Sequence, residues 1–311
     1  MNFKQCAKAL LSHDNILIIT HKNPDGDTVG SAAALCSFLR RLGKKAALYN
    51  NPQVSSKLRS YAGEFFADEN FKAKYIVAVD TATEGLFPQG FSGKVDLCID
   101  HHPTNSNYAK ELLCGSEKAS CAEVVFELAE SLGIEPNAQE ATLLYIALAT
   151  DCGSFQYHNT KADTLLAASK LVRLGADNAT VNTVFFRKVS MARIKLESMI
   201  YSGMSFYREG KIAVAVISQQ MLRDSGATED DMDDLASLAG RSEGSLLNIT
   251  IREQKDGSSK VSVRSTKDVS SSDICAVFGG GGHAMAAGCT IDCEPEKARD
   301  MLLAVVEEVW K

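Results

Sequence analysis

Three short apolar runs in the first hundred residues each stop at an ionisable side chain. ILIIT (16–20) is followed by His21, YIVAV (75–79) by Asp80, and VDLCI (95–99) by Asp100. A fourth run, AALY, occupies 46–49. Runs this short, apolar on both faces and separated by amphipathic stretches, predict strands of a parallel sheet with helices on both sides. The expected strands are 16–20, 46–49, 75–80 and 95–100. Residues 28–42 read as a helix closed by Gly43. Further helices are expected over 119–132, 138–150 and 161–174, with Gly133 and Gly175 as stops.

The pattern changes after residue 200. Residues 204–207, 212–217, 246–252 and 260–264 alternate with period two, and QKDGSS (254–259) puts an Asp-Gly turn between the last two, which predicts a hairpin. Helices over 229–239, 271–277 and 295–310 complete a smaller α+β domain. At roughly 100–200 residues per domain, a chain of 311 residues fits two. The expected division is an α/β domain over 1–186, a connector over 187–210 containing a helix at 192–201, and an α+β domain over 211–311.

Charge and cysteine usage exclude several classes. The formal net charge is −6, so the chain is not built to track long nucleic acid, whose binding rests on many Lys/Arg–phosphate contacts. Nine cysteines occur without a single Cys-x-x-Cys pair. That argues against a zinc knuckle and for buried reduced thiols. Residues 1–15 carry Lys4, Lys8, His13 and Asp14 and no long apolar stretch, so no secretory signal is expected there. No run approaches the ~18 apolar residues of a membrane span. The expected setting is the cytoplasm, away from membranes.

The chemistry is carried by four motifs at the ends of predicted elements. His21-Lys-Asn-Pro-Asp25-Gly-Asp27 follows the first strand, where parallel sheets bind ligands. Pro24 and Gly26 force a turn that gathers one imidazole and two carboxylates. Either aspartate alone could be a helix cap, but capping does not explain His21 or the second carboxylate. Asp80 ends the next apolar strand. Asp100-His101-His102 ends another, and three ionisable residues there must be solvated or coordinate something, because unpaired burial costs several kcal/mol. Asp151 ends the apolar helix LLYIALAT, where a carboxylate opposes the helix dipole unless a cation compensates. His21, Asp25, Asp27, Asp80, His102 and Asp151 thus form a candidate set of oxygen and imidazole ligands suited to Mn²⁺, with Mg²⁺ or Co²⁺ as alternatives. One carboxylate shared by two ions ~3.5–4 Å apart makes a two-metal hydrolase.

HKNPDGD, VAVD, DHH and ATDCGSF together resemble the DHH phosphoesterase family, and FGGGGHAMAAG (278–288), preceded by Val263-Arg264-Ser265, resembles its DHH-associated domain. The likeness spans nearly the whole chain, in order. Length and layout resemble the nanoRNase (oligoribonuclease) and pAp phosphatase subgroup. The resemblance implies a phosphoesterase that removes nucleotides from the 5′ end of short RNA or DNA oligonucleotides, or dephosphorylates 3′-phosphoadenosine 5′-phosphate, by hydroxide attack activated by two metals. It assigns His21 and Asp25 to one ion, Asp27, His102 and Asp151 to the other, and Asp80 to both. His101 becomes the acid for the leaving oxygen or a phosphate contact, and Asp100 orients an imidazole. Cys152 departs from the small hydroxyl residue expected there. Homodimers are common in such a family.

The glycines of 279–282 let backbone N–H groups approach an anion. With Arg264, a bidentate phosphate binder, and His283, which can stack on a base, they form a candidate substrate site of Arg264, Ser265, Gly281, Gly282 and His283. His13 and His158 read as surface residues, Trp310 as packing, and the acidic run 229–234 as the solvated start of a helix. Rival readings are a phosphodiesterase for pApA or cyclic dinucleotides, a pyrophosphatase or polyphosphatase, an exonuclease on long single-stranded DNA, and a non-catalytic nucleotide-binding module. The net charge weighs against long DNA, and the complete ligand set against a mere binder.

Overall fold

Each apolar run of the first half forms a strand in a computed structural model of the chain, which describes every residue except 229, 230, 233, 234, 267 and 311. The chain divides into two compact units, Met1–Lys188 and Val189–Lys311. The first contains α1 (Phe3–Ser12), β1 (Ile16–Ile19), α2 (Gly26–Arg41), β2 (Ala46–Leu48), α3 (Ser56–Ala62), β3 (Tyr75–Val79), β4 (Leu97–Asp100), β5 (Glu111–Cys114), α4 (Cys121–Leu132), α5 (Ala138–Asp151), α6 (Ala162–Arg173) and α7 (Asn178–Asn182). Its five strands are all parallel, in the order β2-β1-β3-β4-β5. Four of these elements were not expected: α1, α3, α7 and the edge strand β5. The edge strand β5 buries only Leu113, so it lacks a continuous apolar signal. Helix α1 buries Cys6, Ala7 and Leu10 behind a capping box of Asn2 and Gln5.

Both faces of this sheet are covered, by different means. Ile16, Ile18, Val77, Val79, Leu97 and Ile99 pack with the buried sides of α1, α2, α4 and α5. Ile19, Ala78 and Cys98, which point the other way, pack with Tyr49, Phe87, Phe91 and Tyr108. Among the described residues that second cluster draws on no α-helix. The expectation of helices on both faces is corrected accordingly: a layer of loop aromatics replaces one helical layer.

The second unit contains α8 (Met191–Ser202), β6 (Ser205–Tyr207), β7 (Ile212–Ile217), α9 (Gln219–Ser225), β8 (Leu247–Glu253), β9 (Ser259–Ser265), α10 (Ser271–Ala276), β10 (Gly281–His283), β11 (Ala286–Ile291) and α11 (Pro295–Val309). Its mixed sheet runs β10-β11-β9-β8-β7-β6, with only β7 and β8 parallel. The hairpin of β8 and β9 turns where expected: Gly257, at φ 84°, donates to Gln254 O at 3.1 Å. The helix read as a connector, α8, packs Leu196 and Ile200 against Ala213, Ala215 and Ile217 of β7. Most of the acidic run 229–234 lies outside the described residues, and Leu235–Arg241 is a 3₁₀ helix. Trp310 packs on the second core, with the Arg208 guanidinium 5.2 Å from its ring. No helix among the described residues is long and apolar enough to cross a membrane.

One contact in the first unit sets the position of the candidate ligands at the starts and ends of two helices. Helices α2 and α5 meet along Gly26 and Gly30 on one side and Leu143, Ala147 and Thr150 on the other. A Cβ at Gly26 would lie 2.3 Å from Thr150 Oγ1, and one at Gly30 would lie 2.4 Å from the Leu143 carbonyl oxygen. The second obstacle is backbone and cannot swing aside, so a side chain there forces the helices apart. Gly30→Ala is expected to destabilise the first unit by about 1–3 kcal/mol, the scale of overpacking, despite the better helix propensity of alanine. Thermal or urea unfolding checks this; an unchanged midpoint contradicts the close packing.

Candidate metal centre

The carboxyl ends of β1, β3 and β4 and the meeting ends of α2 and α5 supply the site. Asp25 caps α2, accepting from Thr28 N at 3.1 Å, so the capping reading holds for this residue. It also lies 3.6 Å from His21 Nε2, which is 3.8 Å from Asp80 Oδ2. The His21 carbonyl is held by Asn51 Nδ2 at 3.0 Å, a residue the sequence reading missed. Asp27, in the first turn of α2, is 1% exposed. Its carboxylate accepts from Cys121 N at 2.7 Å, Ala122 N at 3.0 Å and Ser31 Oγ at 3.0 Å. Cys121 and Ala122 open α4, whose own N-cap Ser120 makes no side-chain cap bond. Asp27 therefore caps a helix distant in sequence, using the anion preference of a helix N-terminus.

Asp80 sits just beyond β3 at φ 55°, a left-handed conformation that costs a non-glycine residue about 1–3 kcal/mol. Its carboxylate is 3% exposed, and Oδ1 has no hydrogen-bond partner. Burial and the charges of Asp27 and Asp25 push its pKa well above the usual carboxylate range. Burial and the Asp151 charge do the same to Asp27. The Asp151 carboxyl, ending α5, is pushed up to about 6 by burial and the Asp25 charge.

The two histidines divide in an unexpected way. His101 Nδ1 lies 3.3 Å from the Lys118 carbonyl oxygen, an acceptor only, so Nδ1 carries the proton and Nε2 the lone pair. That lone pair faces Asp80 Oδ1 at 3.5 Å, Asp151 Oδ2 at 3.7 Å and Asp27 Oδ2 at 3.8 Å. His102 Nδ1 lies 2.8 Å from Asp100 Oδ1 and 3.5 Å from Asp80 Oδ1, and the side chain is 41% exposed. The bond to Asp100 raises the His102 pKa; burial and the neighbouring His102 lower that of His101. Asp100 is fully buried. It accepts from His101 N at 2.8 Å and, through Oδ2, from Asn105 Nδ2 at 2.6 Å. Burial opposes its ionisation, but the bonds from His102 and Asn105 outweigh it and hold its pKa below the usual range. The structure thus groups His101, not His102, with Asp27 and Asp151. Asn105 and Asn159, the latter donating to Asp151 O at 3.1 Å and Ala119 O at 3.0 Å, escaped the sequence reading because lone asparagines in loops carry no pattern.

Three ligand groups result: His21 with Asp25 and Asp80; Asp80 with His101 and His102; Asp27 with His101 and Asp151. Octahedral ligands 2.0–2.1 Å from an ion stand about 2.9 to 4.2 Å apart, and the 3.5–3.8 Å separations around His101 fall within that span. An orphaned buried carboxylate oxygen and an imidazole lone pair facing three carboxylates fit divalent cations. Nitrogen and oxygen donors without thiolate suit Mn²⁺ or Mg²⁺.

The match to known proteins is extensive. Residues 15–148 match the DHH family, N-terminal domain, and residues 209–311 the DHHA1 domain. The bifunctional oligoribonuclease and PAP phosphatase NrnA of Thermus thermophilus is 32% identical over 301 residues, covering 94% of this chain and 89% of the relative. The chain belongs to the DHH/DHHA1 phosphoesterase family. The NrnA of Bacillus subtilis is 26% identical to this phosphoesterase over 307 residues, covering 96% of each chain. An exopolyphosphatase-related protein of Bacteroides fragilis shares its fold with a TM-score of 0.88 at 20% identity, covering 98% of this chain and 96% of the other. RecJ of Thermus thermophilus, crystallised with Mn²⁺, gives 0.55 at 16% identity, covering 98% and 54%.

In the second unit of this DHH/DHHA1 protein part of the glycine run is built into the sheet. Gly281, Gly282 and His283 form the exposed edge strand β10. A Cβ at Gly282 would meet Ala286 O at 2.5 Å, so glycine there serves close strand packing. The register aligns His283, Ala286, Arg264 and Asn248 across four strands, which puts Arg264 and His283 on one face, two strand spacings or about 10 Å apart. The Ser265 hydroxyl is committed to Val269 O at 2.6 Å and Ser271 Oγ at 2.7 Å. Seven of the nine cysteines are buried and all are free. Cys152 is among them, its thiol pushed up to about 12 by burial. His13 stacks on Tyr75 at 3.9 Å, and His158 is exposed.

With no cation present, the buried Asp80 charge is a burden. Asp80→Asn keeps the shape and removes it. The EDTA-treated variant is expected to be more stable than EDTA-treated wild type by about 1–3 kcal/mol, the scale of one unsatisfied buried group. It is also expected to lose the rise in melting temperature that Mn²⁺ produces in wild type. A full Mn²⁺ response in the variant refutes the role of Asp80 as a ligand.

Proposed function

We propose that this phosphoesterase hydrolyses short oligonucleotides, and 3′-phosphoadenosine 5′-phosphate, at a centre of two divalent ions, most simply Mn²⁺. The observation that carries the reading is His101 Nε2 facing Asp27, Asp80 and Asp151 within 3.8 Å while Nδ1 faces the Lys118 carbonyl oxygen. His21 and Asp25 would hold one ion; Asp27, His101 and Asp151 the other; and Asp80 would face both. Such ions supply Lewis acidity toward water and phosphate oxygens.

The roles of the two histidines are exchanged relative to the expectation from sequence. His102 keeps its Nδ1 on Asp100, and its side chain is partly open to solvent. The outward Nε2 suits it to deliver a proton to the leaving oxygen, with Asp100 and Asn105 holding the ring in place. Arg264 offers a bidentate contact to a phosphate, and His283 a ring for a base, across the gap left by the small Ala286. The substrate class is supported by this row, by the activities named for the Thermus and Bacillus relatives, and by a net charge of −6.

His101→Ala is expected to abolish both turnover and the Mn²⁺-induced rise in melting temperature. His102→Ala should keep that rise and lose about 10²–10⁴-fold in kcat, the range for a general acid. The reverse pattern would restore the original assignment. The substrate is tested with Mn²⁺ on 3′-phosphoadenosine 5′-phosphate, pApA, cyclic di-AMP, a labelled RNA 3-mer, a 24-mer and pyrophosphate. Turnover of the 3-mer well above the 24-mer is expected, and turnover of pyrophosphate alone would sink the reading.

A further inference from the structure

The parallel sheet of the first unit has a second end, opposite the metal ligands, and a cavity of about 530 Å³ opens there. This lies within the 300–1,000 Å³ typical of small-molecule sites. Asn15 before β1, Lys45 and Ala46 at the start of β2, and Arg40 in the last turn of α2 line it. Arg40 is about 20 Å along α2 from Asp27 at 1.5 Å per residue. The lining carries four cations, Arg40, Lys44, Lys45 and Lys72, against the single carboxylate of Asp68, in a chain whose net charge is −6.

None of the four cations is ion-paired with a described carboxylate. Arg40 is anchored: Nε donates to Ala46 O at 2.8 Å and Nη1 to Glu64 O at 3.1 Å, which fixes its charge without neutralising it. Lys44 reaches the Leu11 carbonyl. Asp14, an acid beyond the lining, accepts from the backbone N–H of Lys45 at 2.7 Å; that bond, and to a lesser degree the charges of Lys45 and Lys44, hold its carboxyl below the usual range. Asp68 turns its Oδ1 to Asn70 N at 2.8 Å. The side chains of Lys45 and Lys72 are exposed, and neither forms a hydrogen bond or ion pair with a described residue. Beside them stand Phe66 and Phe71, both half-buried. One face of Phe66 carries the Arg59 guanidinium, 4.7 Å from the ring centroid. Unpaired cations set among aromatic rings are the composition that binds phosphate and base together.

We propose that this cavity is a second nucleotide site, separate from the metal centre, that takes a nucleoside monophosphate. The phosphate lies on Lys45 and Lys72 within the field of Arg40 and Lys44, and the base lies against Phe66 and Phe71. Nucleoside monophosphates are also what hydrolysis of short oligonucleotides releases, so the site would meet its ligand wherever the enzyme works.

The test is equilibrium dialysis of labelled AMP against the EDTA-treated chain, with 8-azido-AMP crosslinking to locate the base. Wild type is compared with Lys45→Glu/Lys72→Glu and with Arg264→Ala/His283→Ala. The second variant is expected to retain binding, with crosslinks in the peptide around residues 66–72. The first should bind at least tenfold more weakly at an unchanged melting temperature. The proposal is overturned if wild type binds no AMP, if the Lys45/Lys72 variant binds as wild type does, or if crosslinks fall elsewhere. Equal competition by adenosine, or by inorganic phosphate, against labelled AMP also overturns it, since either would show that one half of the ligand is not recognised.

Discussion

The contact between α2 and α5 is the constraint on which the centre depends. Asp25 and Asp27 belong to the start of one helix and Asp151 to the end of the other. Only glycine at 26 and 30 lets the helices approach closely enough to bring those ends together. Thr28 then ties α2 to the sheet through the Val79 carbonyl at 2.9 Å, next to Asp80. Packing, rather than any attraction among the ligands, gathers the carboxylates, and it has to, because they repel one another.

That repulsion explains the company the carboxylates keep. Asp27 is offset by two helix-opening amides and a serine hydroxyl. Asp100 is offset by a backbone amide, an imidazole and an asparagine. Asp80 has an oxygen with no such offset, and it is, with His101, one of two residues shared by two of the candidate ligand groups. A divalent cation is the partner that such a donor set suits.

Much of this could be read from the chain before folding. A charged residue that closes an apolar strand has few structural uses, so His21, Asp80 and Asp100 announced themselves, and Asp151 did so by opposing its helix dipole. The proposed division of labour between His101 and His102 could not be read. Successive residues of an extended chain point to opposite sides, and nothing in the letters says which side faces the carboxylates; the Lys118 carbonyl decides it. Strand β5 escaped because an edge needs little apolar surface. The glycines of β10 carry two readings in sequence, because close strand packing, which Gly282 serves, and a phosphate cradle ask for the same residue.

Asp27 holds an evolutionary consequence. In the proposed centre a ligand that only faces a cation can be exchanged for another donor of similar reach, and Asp151 would be in that position, since its carboxylate forms no hydrogen bond among those described. Asp27 also closes the start of α4. Imidazole could replace one of its duties but cannot accept two amides side by side, and asparagine would turn a donor toward one of them. Drift in the ligand set is therefore free at one end of the centre and locked at the other by a helix that has no chemistry of its own.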